Sequence, residues 1–552
     1  MTRRGRDVVF ECLKDQGIDV LFGNPGTTEL PLMDGLAAHP EIRYILALHE
    51  DVAVAAAMGW AVGTGRPGVV NLHVAPGLAH GLGNVYNAWR SRIPLVVTAG
   101  QHERRYVHQE PVLWGDLVAM ARPVTKWSGE PSSPEELAVL LPRALKVART
   151  PPEGPVFLAL PHDVLWAETA VRPGSVTALP AWGPGDADAR AAFVRTLAAA
   201  RRPLVVAGDA VSRADAVDAL VAFAEAAGTA VVNEPLPAAM NFPTTHPLYA
   251  GPLPSGRAAL RDAVEDADLL VLVGVVNPAP HAGYYGTRDA WPPGVPVLQL
   301  HDDPHEVGKF LPVAVPLLAD LRGGLGALAA AWADLGAAGE AAREEHRRFA
   351  AARRERWLAE RGRRLGRDDR LTPAAAVAAL GSVLPADAVV VNEAVSASGM
   401  VQDLLDFTRP GAFFGAKGGG LGHSLGAAVG LKLARPDRPV VAVTGDGAAL
   451  YYPQAVWTAA HHDVPVVFVI LNNTSYRILK QNFHALGAPS AAAGVYPAMD
   501  LDAPAPDFVA LAQALGVAGV RVDRAADVRD AVREALGAGA PRVVEVRVTK
   551  DL

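Results

Sequence analysis

One stretch constrains the fold of this chain more than any other: residues 439–480, PVVAVTGDGAALYYPQAVWTAAHHDVPVVFVILNNTSYRILK. The apolar run from Pro439 to Thr444 reads as a buried parallel strand and ends in Gly445-Asp446-Gly447. A helical stretch follows, with Ala455, Thr458 and Ala459 on one face. A second apolar run, Val464 to Leu471, ends in Asn472-Asn473. Strand, helix and strand make one βαβ unit, whose right-handed crossover brings both strand ends to the same edge of a sheet. Asp446 and Asn473 then stand side by side in the crevice where such sheets bind ligands. A carboxylate, a carboxamide and a nearby backbone carbonyl suit Mg²⁺ (or Ca²⁺), hard ions that take oxygen ligands. The glycines around Asp446 let a diphosphate approach the backbone, and the helix N-terminus behind them favours its charge.

A GDG alone is common. A GDG followed by 24 residues and an NN, each closing an apolar strand, is far more specific. It resembles the thiamin-diphosphate motif of the pyruvate-decarboxylase and acetolactate-synthase superfamily. The resemblance implies thiamin diphosphate as cofactor and a metal ion held by Asp446, Asn473 and the main-chain oxygen of Ser475. It also puts Gly445, Gly447, Ala448 and Tyr476 around the cofactor.

Outside that stretch the chain keeps the same rhythm. Residues 1–170 alternate helix-like and strand-like segments, as in Ile18–Gly23, Tyr44–Leu48, Gly68–Leu72 and Pro94–Ala99 for the strands. A Pro- and Gly-rich linker precedes a second α/β unit over 185–330. A charged helix, roughly Ala341–Arg364, leads to a third unit over 371–552. Glu344, Glu345, Glu355 and Glu360 interrupt its arginines, so it reads as a solvated connector rather than a nucleic-acid face. The expected architecture is therefore three doubly wound α/β domains, which the superfamily uses in turn for the aminopyrimidine, a structural centre and the diphosphate. The formal charge of −7 argues against nucleic acid or an anionic membrane as partner. The first residues carry charge through their apolar positions and do not read as a signal peptide, and the cytoplasm is the expected location. A single cysteine, Cys12, excludes an internal disulfide.

The superfamily requires a glutamate that hydrogen-bonds the pyrimidine ring and drives deprotonation of the thiazolium. The matching residue is Glu50, just after the strand Tyr44–Leu48. Asn24, Pro25 and Gly26 fall beside the cofactor in the same comparison. GNPGTTELP at residues 23–31, NLHVAPG at 71–77, NAW at 87–89 and FPTTHP at 242–247 resemble the benzoylformate-decarboxylase branch. That branch converts an aryl 2-oxo acid to an aldehyde and CO₂. Its carboxylate-binding serine falls on Thr27, and its two proton-transferring histidines fall on His73 and His281. Histidine suits the role because its unperturbed pKa of about 6.5 lets it donate and accept near neutrality. His49 and His80 read as supporting or surface residues.

In the last domain Gly419 and Leu421, within GGLG, are expected to offer a carbonyl and an apolar prop to the cofactor. Asn392-Glu393 and Ser396 fall where the family contacts the phosphates. Leu113, Leu479 and Phe483 are candidates for the apolar wall of the substrate pocket, equally readable as core. Thr27, Val395, Gly415 and Lys417 depart from the pattern. Lys417 reads as pointing to solvent; inside the pocket it would demand an anionic substrate. The resemblance further implies a homodimer as the minimum active unit, assembled into a homotetramer. FAD is not expected, since no FAD fingerprint is recognisable. The rival reading is an acetolactate-synthase-like carboligase, which joins the same 2-oxo-acid-derived fragment to a carbonyl acceptor.

Overall fold

The computed structural model describes residues 3–276, 291–365 and 370–551. Within them lie three six-stranded sheets, each parallel throughout. Val, Ile, Leu and Ala fill the central strands, and strands such as Gly68–Leu72, Pro203–Ala207 and Val389–Glu393 are buried along their whole length. A parallel strand covered by helices on both faces has no polar side to show.

The first and third sheets share one topology. In the first, the strands run in space Arg43–Leu46, Val20–Gly23, Gly68–Leu72, Leu95–Gln101, Val156–Pro161, Ser128–Gly129. In the third they run Phe413–Phe414, Val389–Glu393, Val440–Gly445, Val466–Asn472, Arg542–Arg547, Ala518–Val522. Numbered along the chain within each sheet, both read 2-1-3-4-6-5, so each has a topological switch point between its first and third strands. The central sheet instead reads 3-2-1-4-5-6, the order of dinucleotide-binding folds. The βαβ unit expected around the GDG is present: Gly445 pairs with Leu471 in register, and Ala455, Thr458 and Ala459 are fully buried on the helix between the strands.

The first and third domains meet along a seam of small residues. Helix Glu50–Thr64, EDVAVAAAMGWAVGT, is apolar on nearly every side and packs on helix His423–Ala434. A helix apolar all round has to be buried all round. Backbones touch here: a β-carbon on Gly59 would overlap the carbonyl of Ala427, and one on Gly430 the carbonyl of Ala56. The charged helix, Ala337–Arg364, is less solvated than its composition suggests. His346 is buried with its ring nitrogens 2.8 and 2.9 Å from the carbonyls of Ala227 and Ala200, while Arg353, Arg361 and Arg364 pair with Asp266, Asp406 and Asp403. The arginines strap the central domain to the third.

Candidate active site

At the switch point of the third sheet a cleft of about 530 Å³ opens between the ends of Val389–Glu393 and Val440–Gly445. Asp446, Asn473, Ser475, Gly445, Gly447, Ala448, Tyr476, Ser396, Leu421 and Val395 all line it, as the sequence reading requires. Asp446 is 3 % exposed, and its carboxylate accepts from the N–H of Gly447 (2.8 Å) and of Ser475 (3.3 Å). Burial pushes its carboxyl above the usual range, against the pull of those N–H groups. The two asparagines divide the work. Asn472 is spent on structure, donating to Glu545 at 2.8 Å and accepting from the N–H of Thr474 at 3.0 Å. Asn473 is buried too, yet its Oδ1 has no hydrogen-bond partner. A buried orphan acceptor next to a buried carboxylate is costly unless a cation sits between them. The carbonyl of Ser475 accepts only the N–H of Arg477 among backbone donors, which leaves a lone pair. Nothing lies within 4 Å of where a β-carbon on Gly445 would stand, so the glycine leaves open space for a bulky anion. The donor set therefore fits a hard divalent ion with a diphosphate.

The first domain carries a second constellation at the ends of its own strands. His49 caps helix Glu50–Thr64 by accepting the N–H of Asp51, which points Glu50 out of the first turn. Burial lowers the His49 pKa and so keeps the ring neutral. Asn24 Nδ2 approaches Glu50 Oε1 at 3.4 Å, and His80 Nδ1 stands 3.2 Å from Oε2. His73 stands just before helix Val74–Arg90 and is tied to Glu29 by a 2.7 Å contact at Nδ1. Glu29 is fully buried and also accepts from the N–H groups of Gly26 (3.0 Å) and Gly100 (2.9 Å) and from Thr28 Oγ1 (2.8 Å). Those three donors hold the carboxylate in place, and the carboxylate fixes the ring. Gly26 has to be glycine because a β-carbon there would strike the His73 ring. A β-carbon added at Gly77 would stand 3.2 Å from both Glu50 Oε1 and His73 Cβ, so the Glu50 carboxylate and the base of the His73 side chain flank one point. Thr27 is exposed beside them.

The two constellations of one chain do not meet. No described residue of the first domain lines the cleft of the third. The His49 ring lies against Tyr452 of the third domain, with centroids 4.7 Å apart, and the loop Gly415–Gly422 also joins the two. Asn87 locks it by donating to the carbonyl of Gly420 (2.9 Å) and accepting its N–H (3.0 Å). Gly419 adopts a left-handed φ of 79° in the same loop, which delivers Leu421 to the cleft.

Several expectations need correction. Lys417 points neither to solvent nor into the cleft. Its ammonium lies 2.9 Å from Asp209 Oδ2 and bonds Glu234 Oε1, both on the central domain, and the side chain is 13 % exposed. Burial alone would neutralise Lys417, but the two carboxylates more than compensate and raise its pKa. Burial likewise opposes the charge of Asp209, yet Lys417, Asn241 and the N–H of Ala238 hold its carboxyl low. Glu234 loses that contest: burial pushes it up to about 7, and its Oε2 has no partner. Gly415 belongs to the same interdomain contact, donating its N–H to the carbonyl of Ala238 rather than lining the cleft. Glu393 is no phosphate contact, because its oxygens accept the N–H groups of Gly422 and Ser424 and face His423. Asn392 bonds Ser398. Leu113, with a left-handed φ of 73°, and Leu479 are exposed, Phe483 is half-buried, and none of the three lines the cleft. His281 lies outside the described residues. The sequence reading missed Glu29, Asn87 and the Asp209–Glu234 pair. Only Glu29 left a local sign, a Gly-x-x-Glu whose last residue caps the N–H of the first.

Fold and cleft together describe a class: an α/β enzyme with a cleft at a switch point that holds a buried carboxylate and an unpartnered carboxamide oxygen, and a separate carboxylate–imidazole pair. The chain belongs to the thiamine pyrophosphate enzyme family. Family models match its N-terminal TPP binding domain at residues 3–120, its central domain at 190–328 and its C-terminal TPP binding domain at 394–546. Benzoylformate decarboxylase of Pseudomonas aeruginosa is 34% identical over 544 residues, 97% of each chain. A putative acetolactate synthase large subunit of Mycobacterium tuberculosis is 31% identical over 99% of each. Among solved structures, the thiamine diphosphate-dependent 4-hydroxybenzoylformate decarboxylase of Rhodococcus jostii superposes with a TM-score of 0.86 at 32% identity over the whole of both chains. Benzoylformate decarboxylase from Polynucleobacter necessarius gives 0.85 at 30% identity, over 100% of this chain and 99% of that one.

Proposed function

We propose that the chain is a thiamin-diphosphate- and Mg²⁺-dependent carboxy-lyase that converts an aryl 2-oxo acid of the benzoylformate type to an aldehyde and CO₂. The observation that carries this reading is the pair flanking Gly77, Glu50 and His73, the latter gripped by a buried carboxylate. Losing CO₂ needs an electron sink, and thiamin diphosphate supplies one when bound, through a nucleophilic thiazolium carbon. Asp446, Asn473 and the Ser475 carbonyl would hold its metal, with Gly445 leaving room for the diphosphate. Glu50 holds and exchanges a proton at its carboxylate, steadied by Asn24 and His80. Glu29 occupies Nδ1 of His73, which leaves Nε2 to hand a proton to the product carbon and to take one from its hydroxyl. Thr27 offers a hydroxyl to the substrate carboxylate.

Because one chain keeps Glu50 away from its own cleft, the working site joins the first domain of one chain to the third domain of another. A homodimer is then the minimum unit, and a pair of such dimers the assembly. Carboligation is the second reading, favoured by the acetolactate synthases among the relatives. The test is CO₂ release from benzoylformate, phenylpyruvate, pyruvate and an acidic 2-oxo acid, with Mg²⁺ and thiamin diphosphate present and Glu50→Ala as blank. Fastest turnover on benzoylformate, abolished in the blank, supports the proposal. Cofactor bound but no CO₂ from any of the four sinks it, and product only with an added aldehyde or ketone acceptor moves the reading to carboligation.

A further inference from the structure

The cleft of the third domain has an unbalanced charge. A diphosphate carries about two to three negative charges near neutrality. A divalent cation cancels two, and the Asp446 that would hold this cation adds one back. Helix N-termini supply only partial charges. Among the described residues lining the cleft, Asp446 is the only acid and Arg477 the only base.

Arg477 is an unusual base. It directly follows Ser475 and Tyr476, at the first position of helix Arg477–Ala485, and is 7 % exposed. Its Nε donates to the carbonyl of Asp551 at 2.7 Å, near the end of the chain. Its NH1 is buried and has no hydrogen-bond partner. A guanidinium brings five donors in a fixed fork suited to phosphate oxygens, and a buried donor left idle is costly. An arginine closed off from water, with one arm tied to the backbone and another idle, beside an anion cleft, is a clamp awaiting its acceptor.

We propose that Arg477 is the charge-completing residue of the diphosphate site and binds the cofactor through its phosphate oxygens. This rests on the cofactor reading above and adds to it a residue that the metal motif does not contain. The rival account is that Arg477 serves only as a tether for the chain end through Asp551.

Binding separates the two without any turnover. Affinities for thiamin diphosphate, for inorganic pyrophosphate and for thiamin would be measured by calorimetry with Mg²⁺ present, on the full-length wild type, Arg477→Gln and Arg477→Lys. The thermal midpoint of each ligand-free protein would be recorded alongside. Arg477→Gln is expected to weaken thiamin diphosphate and inorganic pyrophosphate together by about ten- to hundredfold, the worth of a charge-assisted hydrogen bond. Arg477→Lys should recover part of that loss, since it restores the charge without the fork. Binding of thiamin, which has no phosphates, and the ligand-free midpoint should not move. Unchanged pyrophosphate affinity in Arg477→Gln overturns the inference, as does a loss matched by a falling midpoint in both variants. A wild type that binds neither phosphate ligand overturns the cofactor reading itself.

Discussion

Glu234→Gln is the substitution whose effect follows most directly from the structure. Glu234 is fully buried, accepts the N–H of Asp209 at 2.8 Å, touches the Lys417 ammonium and leaves Oε2 unpaired. One ammonium reaches both buried carboxylates but cannot neutralise two charges. Asp209, with the Lys417 ammonium, two backbone N–H groups and Asn241 around it, keeps its charge, and Glu234 is pushed from 4.5 up to about 7. The folded chain therefore holds a proton on Glu234 that the unfolded chain releases above pH 4.5. Its contribution to stability is full below that pH, is lost as pH rises towards 7, and stays lost above. A shift of this size corresponds to about 3 kcal/mol between the two ends of the window. The carboxamide is isosteric and cannot ionise, so Glu234→Gln should remove the decline. At pH 5 it is expected to match the wild type within roughly 1 kcal/mol, and at pH 8 to exceed it by about 1–3 kcal/mol. The assay is urea unfolding of both proteins at half-unit steps from pH 5 to 8.5, following the transition of the central domain. Parallel curves across that range would falsify the assignment of a proton to Glu234. The companion change Lys417→Met should cost about 3–5 kcal/mol near neutrality, because it strands a buried charge.

Glu29→Gln keeps the shape around His73 but removes the charge that grips its ring. CO₂ release is expected to fall about ten- to a hundredfold in kcat with cofactor affinity intact; equal losses in both would make Glu29 a fold residue only. Asn87→Ala breaks both hydrogen bonds to Gly420, and calorimetry should find cofactor binding about tenfold weaker; unchanged affinity would mean the loop holds its place without the latch. Gly430→Val drives a side chain into the carbonyl of Ala56, and the protein should lose about 3 kcal/mol or more, or fail to fold. A variant with the wild-type urea midpoint would refute the close approach of the two helices.

The architecture was legible because the central strands of parallel α/β folds announce themselves as apolar runs. The Pro439–Thr444 and Val464–Leu471 runs became Val440–Gly445 and Val466–Asn472, within two residues at each end. The juxtaposition of Asp446 and Asn473 was legible too, because both follow directly from strand ends and a fixed crossover hand. What could not be read was whatever depends on another domain. Lys417 looks solvent-facing from its glycine neighbours, and only the central domain's Asp209 and Glu234 draw it inward. Glu393 looks like a phosphate contact by position, yet the start of helix His423–Ala434 consumes its oxygens. Arg477 was passed over because a charged residue after NNTSY reads as surface until its burial is known. Periodicity reports which face of an element is apolar; it carries no information on which polar group waits on the other side of an interface.

The separation of Glu50 from its own chain's cleft has a consequence for inheritance. On the pairing proposed above, each chain lends its first domain to one reaction chamber and its third domain to another. A Glu50→Ala chain is dead by itself, and so is an Asp446→Ala chain. Folded together, they concentrate both lesions in one chamber and leave the other whole. Two null alleles of this gene would then complement each other, as though one reading frame encoded two interchangeable parts.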